Sequence, residues 1–593
     1  MTIRNRSDRL FWLMLLIAAL SVHSTVAWGQ AAGAEWTTPA GTVQGTRFSS
    51  LAQITTTNVK NLQEEFHFET GVLAGHEGAP LVVGGTMYIV APFPNRLFAL
   101  DLARKGAIRW VFDPRANRFA QDKACCDIVN RGAVFANGKV IYNVLDNTTV
   151  AVNATTGTEV WRKKLGDPAT GQTITMAPLV VGDKVFVGNS GGEMGVRGFI
   201  VALNVDTGAE VWRAFSTGPD ADVGIGPRFH PFYAKDQGAN LGTKTWPGTL
   251  WQNGGSTVWG WVSYDPALNL LFHGTANPGV WNPDMRPGDN KWSTTVFARD
   301  PNTGEAIWAY QTTPHDAWDY DGVNESIVVD LPMGGATRRL VVRFDRNGFA
   351  YTMDRATGQV LVAQKYVDAV NWASAIDLTT GVPIENPEKR THEGVVVTDI
   401  CPAAPGGKDE QPAAFSPNTN LFYVPTNNVC MDYEGLKALL FQGAPFVGAS
   451  VTMRAGPGGN RGEFMAWDAV AGRKVWGIKE RFPVYSGVLA TAGDVVFYGT
   501  LDRMFKAVDA RTGAVLFQKQ LDSGTVGHPM TFLGPDGKQR VAIYSGPGGF
   551  AGAIVDGHLS PDDPYAALGG VGALADLPLF TQPGGSVHVF KLP

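Results

Sequence analysis

Charge is scarce in this chain. Only 17% of its 593 residues are Asp, Glu, Lys or Arg, and the net charge at pH 7 is −5. Neither a general nucleic-acid footprint nor an anionic-membrane surface fits that balance. Cysteine is scarcer still, with four residues, no Cys-x-x-Cys-His to hold a haem and no His/Cys spacing of a zinc motif. No Gly-rich loop opens a helix for a nucleotide. Beyond the first 29 residues no apolar run is long enough to span a bilayer. With 44% hydrophobic residues the chain can nevertheless bury a large core, which excludes wholesale disorder.

Residues 1–29 read as a secretory signal peptide. Arg4, Arg6 and Arg9 form a basic head, Leu10 to Val22 an apolar core of 13 residues, and Ala27-Trp28-Gly29 a small-x-small cleavage site. The mature chain, 30–593, is expected to be exported and soluble, without a membrane span. An oxidising compartment permits disulfides. The four cysteines allow three connectivities. Pairing the neighbours Cys125 and Cys126 closes an eight-membered ring and needs a distorted peptide, so the residues alone speak against it. A Cys401–Cys430 bridge would close a sizeable loop and stabilise by about 3 kcal/mol in the chain-entropy model. On the bare residues the pairing stays open.

What the chain does have is glycine (71 residues) and tryptophan (17) in a recurring pattern. A small residue is followed two positions on by Asp or Asn, then by Thr-Gly, then by Trp four beyond the Gly. It reads AVNATTGTEVW (Ala151–Trp161), ALNVDTGAEVW (Ala202–Trp212), ARDPNTGEAIW (Ala298–Trp308) and AWDAVAGRKVW (Ala466–Trp476). Weaker copies lie at Ala99–Trp110, Thr352–Leu361 and Ala507–Phe517. Each copy reads as strand, Asp-x-x-Thr-Gly turn, strand, with glycine supplying positive φ. LVVGDKVFVG (Leu179–Gly188) and VVFYGTLD (Val495–Asp502) supply further hairpin strands. A period near 50 residues with about four strands means propeller blades. The expectation is an all-β, eight-bladed β-propeller in one domain. Seven copies are visible. The gaps Gly208–Gly304 and Gly358–Gly472 have room for an eighth blade plus insertions, and the terminal GSVHVFKLP strand is placed to close the ring. The recurrent Trp is expected to pack against the neighbouring blade. Segments 215–257, 277–292 and 399–420 are expected to be loops, where sites on rigid scaffolds concentrate.

Taken singly, Glu193, Asn277, Asp319 and Asp321 are scattered oxygen donors of a type that suits a hard cation. Five motifs occur in order: KACCDIVNRG (Lys123–Gly132), GNSGGEMGVRG (Gly188–Gly198), GGSTVWGW (Gly254–Trp261), GTANPGVWNPDMRPGDNKW (Gly274–Trp292) and TPHDAWDYDGVNE (Thr313–Glu325). With the repeats they make the chain, from about Asn58 to its end, resemble the quinoprotein alcohol dehydrogenases. These are propellers that bind pyrroloquinoline quinone (PQQ) beside a metal ion.

The resemblance implies that Cys125–Cys126 is a vicinal disulfide on one face of the quinone and that Trp259 stacks on the other. Glu77, Arg131, Thr175, Ser190, Gly191, Gly192, Thr257 and Asp409 would contact its edges. PQQ carries carboxylates, which suits Arg131 and the amides after Ser190. Glu193, Asn277 and Asp319 match the metal ligands. Asp321 occupies the position where calcium-type methanol dehydrogenases have Ala and lanthanide-dependent ones have Asp. A third carboxylate suits a trivalent ion, and Asp409 next to Lys408 also resembles the lanthanide group. Asp319 would act as base on a primary alcohol while the metal, as Lewis acid, assists hydride transfer to PQQ. Arg346 would bond the reacting edge and Asp319, and Trp281 would line a pocket sized for methanol or other short alcohols. The resemblance further implies electron transfer to a soluble cytochrome c, a periplasmic location and a homodimer. Tyr485 and Phe550 stand where relatives often have Trp, which bears on substrate range. The competing readings are a calcium-dependent or broader-range PQQ alcohol dehydrogenase, and a non-catalytic exported propeller scaffold.

Overall fold

A computed structural model describes residues 32–557 and 559–593; the signal-peptide reading of 1–29 lies outside the described residues. The protein is almost entirely β. Seven four-stranded antiparallel sheets and an eighth with a fifth, parallel strand follow one another along the chain, beside two smaller sheets. Most of these units are up-and-down meanders of consecutive strands. In the third, Leu179–Val181, Lys184–Gly188, Phe199–Asn204 and Glu210–Phe215 pair in sequence order.

The repeat explains the connection between the third and fourth strands of these sheets. In the second sheet Asn153 Oδ1 accepts from the amides of Thr155 and Thr156 at 3.0 and 2.9 Å, and Gly157 follows at φ 71°. Asp354 does the same for Ala356 and Thr357, with Gly358 at φ 76°. An Asx side chain thus fixes the turn that the backbone alone would leave loose. The tryptophan four residues later leaves its own sheet. Trp161 lies over Gly208 of the next sheet and donates to Val205 O at 3.0 Å. Trp212 does so over Gly304 with Pro301 O, Trp308 over Gly358 with Arg355 O, and Trp476 over Gly513 with Ala510 O. A Cβ on Gly208 would fall 2.6 Å from the Trp161 ring, so the glycine is required by the indole as well as by φ 70°.

The long gaps carry no extra four-stranded sheet. Gly208–Gly304 holds short helical turns such as Asp220–Val223 and Leu241–Lys244. Gly358–Gly472 holds the strand pair Ala373–Asp377 and Val382–Glu385 and a three-stranded sheet. Segment 399–420, read as loop, contributes the strand Ala414–Ser416. The eighth unit is instead a seam. Met530–Leu533, Gln539–Ser545 and the terminal Ser586–Lys591 pair in that order, and Ser586–Lys591 pairs in turn with Gln63–Glu69 from the beginning of the described chain. Its last strand arrives from the other end of the sequence, so no Thr-Gly turn is needed and the repeat search cannot see it.

Candidate active site

In an antiparallel meander the entry to the first strand and the exit from the second lie at the same end of the sheet. These are the segments that carry the candidate residues. Glu77, Arg131, Thr175, Trp259, Asp321, Asp409 and Tyr485 each precede a first strand by two to six residues. Glu193, Trp281, Arg346 and Phe550 lie between second and third strands. All of them line one cavity, together with Cys125, Cys126, Ser190, Gly191 and Asp319.

Local chemistry sets each side chain. Glu193 rides on the short turn Gly192–Met194, held between Gly191 (φ 109°) and Gly195 (φ 70°). A Cβ on Gly191 would fall 2.4 Å from Gly171 O. In the Thr313–Glu325 motif the Asp316 carboxylate accepts from the amides of Trp318 and Tyr320, winding the loop, with Asp319 at φ 67°. Cys125 is bonded to Cys126 and Cys401 to Cys430, which decides the pairing the residues left open.

Two polar networks line the cavity. In one, Arg131 Nη2 meets Glu77 Oε2 at 2.7 Å and Nη1 donates to Thr175 Oγ1 at 2.7 Å, which is 3.0 Å from Ser190 Oγ. In the other, Arg346 pairs with Asp409, with Asp321 Oδ2 at 3.2 Å and with Asp319 Oδ2 at 3.7 Å. Trp259 is close to both, with the Arg131 guanidinium 4.7 Å and that of Arg346 5.5 Å from its ring centroid. Gly192, Thr257 and Asn277 do not line the cavity. They lie close to one another beside Gly191 and Glu193, where a Cβ on Gly192 would lie 3.6 Å from Thr257 Oγ1 and 3.9 Å from Asn277 Oδ1. The Asn277 amide donates to Asp321 Oδ1 at 2.6 Å. Lys408 turns away from the cavity, buried against Glu325 at 2.7 Å.

The wall holds six carboxyl groups against two guanidinium groups. That surplus of buried negative charge costs energy unless protons or a cation compensate it. Burial, then the charge of Asp321, pushes Glu193 up to about 7. Burial pushes Asp321 up to about 6 despite Arg346. Burial and Asp321 hold Asp319 well above the ordinary carboxylate range. Burial likewise lifts Glu77 and Asp409 to about 7. It disfavours the charged Arg346, but Asp409, Asp321 and Asp319 together outweigh it and keep the guanidinium protonated. Asp319 Oδ1 and Trp281 Nε1 are buried without a hydrogen-bond partner. An all-oxygen donor set with excess negative charge and an unused carboxylate oxygen fits a hard cation. A cavity walled by a disulfide, an indole and Arg131 fits a flat anionic ligand.

The sequence profile described as "PQQ: Glucose/ethanol/alcohol dehydrogenase, beta-propeller domain" matches residues 36–370 and 477–541. The chain belongs to the PQQ-dependent dehydrogenases. Among these it is 54% identical to a lanthanide-dependent methanol dehydrogenase of Methylacidiphilum fumariolicum (strain SolV), over 92% of this chain and 90% of that one. It is 45% identical to a methanol dehydrogenase (cytochrome c) subunit 1 of Methylobacterium organophilum, over 94% and 91%. A solved europium-containing methanol dehydrogenase superposes with a TM-score of 0.93 at 53% identity, covering 94% of this chain and 98% of that one.

Within this PQQ-dependent dehydrogenase, sequence reasoning missed several lining residues: Val129, Thr173, Glu410, Gly548, Gly549 and Leu568. Glu410 carried a signal. Lys408-Asp409-Glu410 is a run of three charges in a Gly-, Pro- and Ala-rich stretch. Burial raises the Glu410 carboxyl, with Glu77 the next cause. Gly549 and Leu568 had none, because the excursion 546–585 interrupts the seam sheet without any repeat pattern.

Proposed function

We propose that the protein oxidises methanol and other short primary alcohols to aldehydes in the periplasm, with PQQ as electron acceptor and a lanthanide ion as the metal. The observation that carries this reading is the convergence of Glu193, Asp319 and Asp321 on one cavity beside Arg346, the Cys125–Cys126 disulfide and Trp259. The printed names of the relatives, lanthanide-dependent and europium-containing methanol dehydrogenases, support it.

Glu193, Asn277, Asp319 and Asp321 would hold the ion, with the Asn277 amide already bonded to Asp321. Cys125, Cys126 and Trp259 would flank the quinone, and Glu77, Arg131, Thr175, Ser190, Gly191, Gly192, Thr257 and Asp409 would fix its edges. When bound, PQQ supplies the hydride acceptor and the metal supplies Lewis acidity. Asp319, whose Oδ1 is unpartnered, would receive the alcohol hydroxyl proton once a bound cation has displaced its own. Arg346 stays charged throughout and orients Asp319 and Asp321 from one side. Trp281, 3% exposed, narrows the wall and sets the length of alcohol admitted. Tyr485 and Phe550 keep the wall aromatic.

The eight sheets, with the seam joining both ends and an indole passed from sheet to sheet, support a closed eight-bladed ring over residues 30–593 as one domain. No helix among the described residues is long and apolar enough to cross a membrane. A soluble cytochrome c takes the electrons, in keeping with the printed name of the Methylobacterium relative, and the chain assembles as a homodimer.

The test is methanol-dependent dye reduction by cofactor-free protein reconstituted with PQQ plus either La³⁺ or Ca²⁺. Turnover with La³⁺ and little with Ca²⁺ is expected. Equal or higher turnover with Ca²⁺ would overturn the lanthanide assignment, and none with either would overturn the enzyme.

A further inference from the structure

A second cluster of donors lies on the seam, outside the cavity. His67 and His588 are direct cross-strand partners, one on Gln63–Glu69 and the other on the terminal Ser586–Lys591. Strand alternation would place Glu64 and His67 on opposite faces. A register shift between Glu64 and Phe66 inserts one residue and brings Glu64 to the histidines' side. Glu65 points instead to Arg540 and Lys591. Glu64 Oε1 consequently lies 3.1 Å from His67 Nδ1 and 3.1 Å from His588 Nδ1. One donor atom from each of the three residues falls within a single 4.8 Å group.

We infer that Glu64, His67 and His588 form a binding site for a divalent cation of the zinc class that staples the first and last strands of the seam sheet. With ligand bonds of about 2.0–2.1 Å, neighbouring donors of a tetrahedral zinc ion stand about 3.3 Å apart. The two measured edges of 3.1 Å need only a few tenths of an ångström of adjustment. A ligating imidazole normally offers its other nitrogen to a carboxylate. His588 is 2% exposed, its Nε2 has no hydrogen-bond partner, and the Asp522 carboxylate lies 3.9 Å from that nitrogen. Zinc on Nδ1 would leave Nε2–H directed at Asp522. His67 is exposed, so the ion can enter from solvent and keep water as fourth ligand. Two imidazoles and one carboxylate select a borderline ion such as Zn²⁺ and are a poor set for the hard cation of the main cavity. The consequence is mechanical. The two strands come from opposite ends of the chain, so the ion would bind the folded seam and not the unfolded chain, and would raise stability by mass action.

The holoenzyme, carrying its own cofactor and metal, is equilibrated with a small excess of Zn²⁺, desalted, analysed for zinc and melted with and without Zn²⁺. One retained zinc per chain and an upward melting shift are expected. His67→Ala, an exposed change, should bind zinc more weakly by at least the ~10–100-fold that losing an outer-shell partner costs, and should lose the melting shift. Its alcohol oxidation without zinc should be unchanged. Glu64→Gln gives a second variant with intact strands and the same expected loss. Wild-type protein that retains no zinc, or variants that retain it with the same melting shift, would overturn the site.

Discussion

Replacing Asp321 with Ala tests the acid cluster quantitatively. In the metal-free protein Glu193 titrates at about 7, Asp321 at about 6 and Asp319 well above its ordinary range. Below pH ~6 all three hold protons that an incoming cation must displace. The logarithm of the lanthanide association constant should therefore climb by roughly three per pH unit there. The slope drops by about one as each of the two lower groups ionises. Asp321→Ala removes one of those protons. It also removes the charge that, after burial, does most to raise Glu193 and Asp319. The initial slope should fall to roughly two, and the break near 7 should move to lower pH. Calorimetric titration with La³⁺ in buffers of different ionisation enthalpy reads the released protons directly. An unchanged proton count in Asp321→Ala would refute the reasoning, because Asp321 would then take no part in holding the ion.

Further expectations follow from the same contacts. The raised pKa values mean that the folded metal-free protein keeps protons the unfolded chain has released; that stabilisation is complete below about pH 4 and is lost as pH rises through about 6 and 7. The melting temperature of metal-free protein should accordingly fall between pH 5 and 8, and that of the metal-loaded protein should fall much less. Gly208→Ala forces a methyl toward the Trp161 ring at positive φ and should cost on the order of 1–3 kcal/mol by urea denaturation. Cys401→Ser with Cys430→Ser opens a loop of 29-residue separation and should cost about 3–4 kcal/mol in the same assay, with cavity chemistry preserved.

Much of this protein was legible because its information is local. The Asx turn, its glycine and its tryptophan lie within eleven residues, as in Ala151–Trp161, so each sheet but the seam announces itself. The site residues were legible only as a joint pattern. Asp319 and Asp321 alone look like a solvated turn, and their meaning comes from Glu193 and Arg346 arriving on other sheets. The terminal strand GSVHVFKLP was legible as the ring's closing strand and it pairs with Gln63–Glu69, but the wall supplied by Gly549 and Leu568 was hidden because it depends on contacts between distant segments. The Glu64–His67–His588 group was invisible for the same cause, since no spacing within one segment relates residues at opposite ends of the chain.

In the proposed function Glu193, Asp319 and Asp321 grip one trivalent ion beside a quinone clamped between Cys125–Cys126 and Trp259. Anomalous diffraction from crystals of the protein loaded with PQQ and a lanthanide tests it most directly. A single strong peak among those three carboxylates, with planar density between the disulfide and the indole, is the predicted result. A peak elsewhere, or a quinone bound outside this cavity, would contradict it.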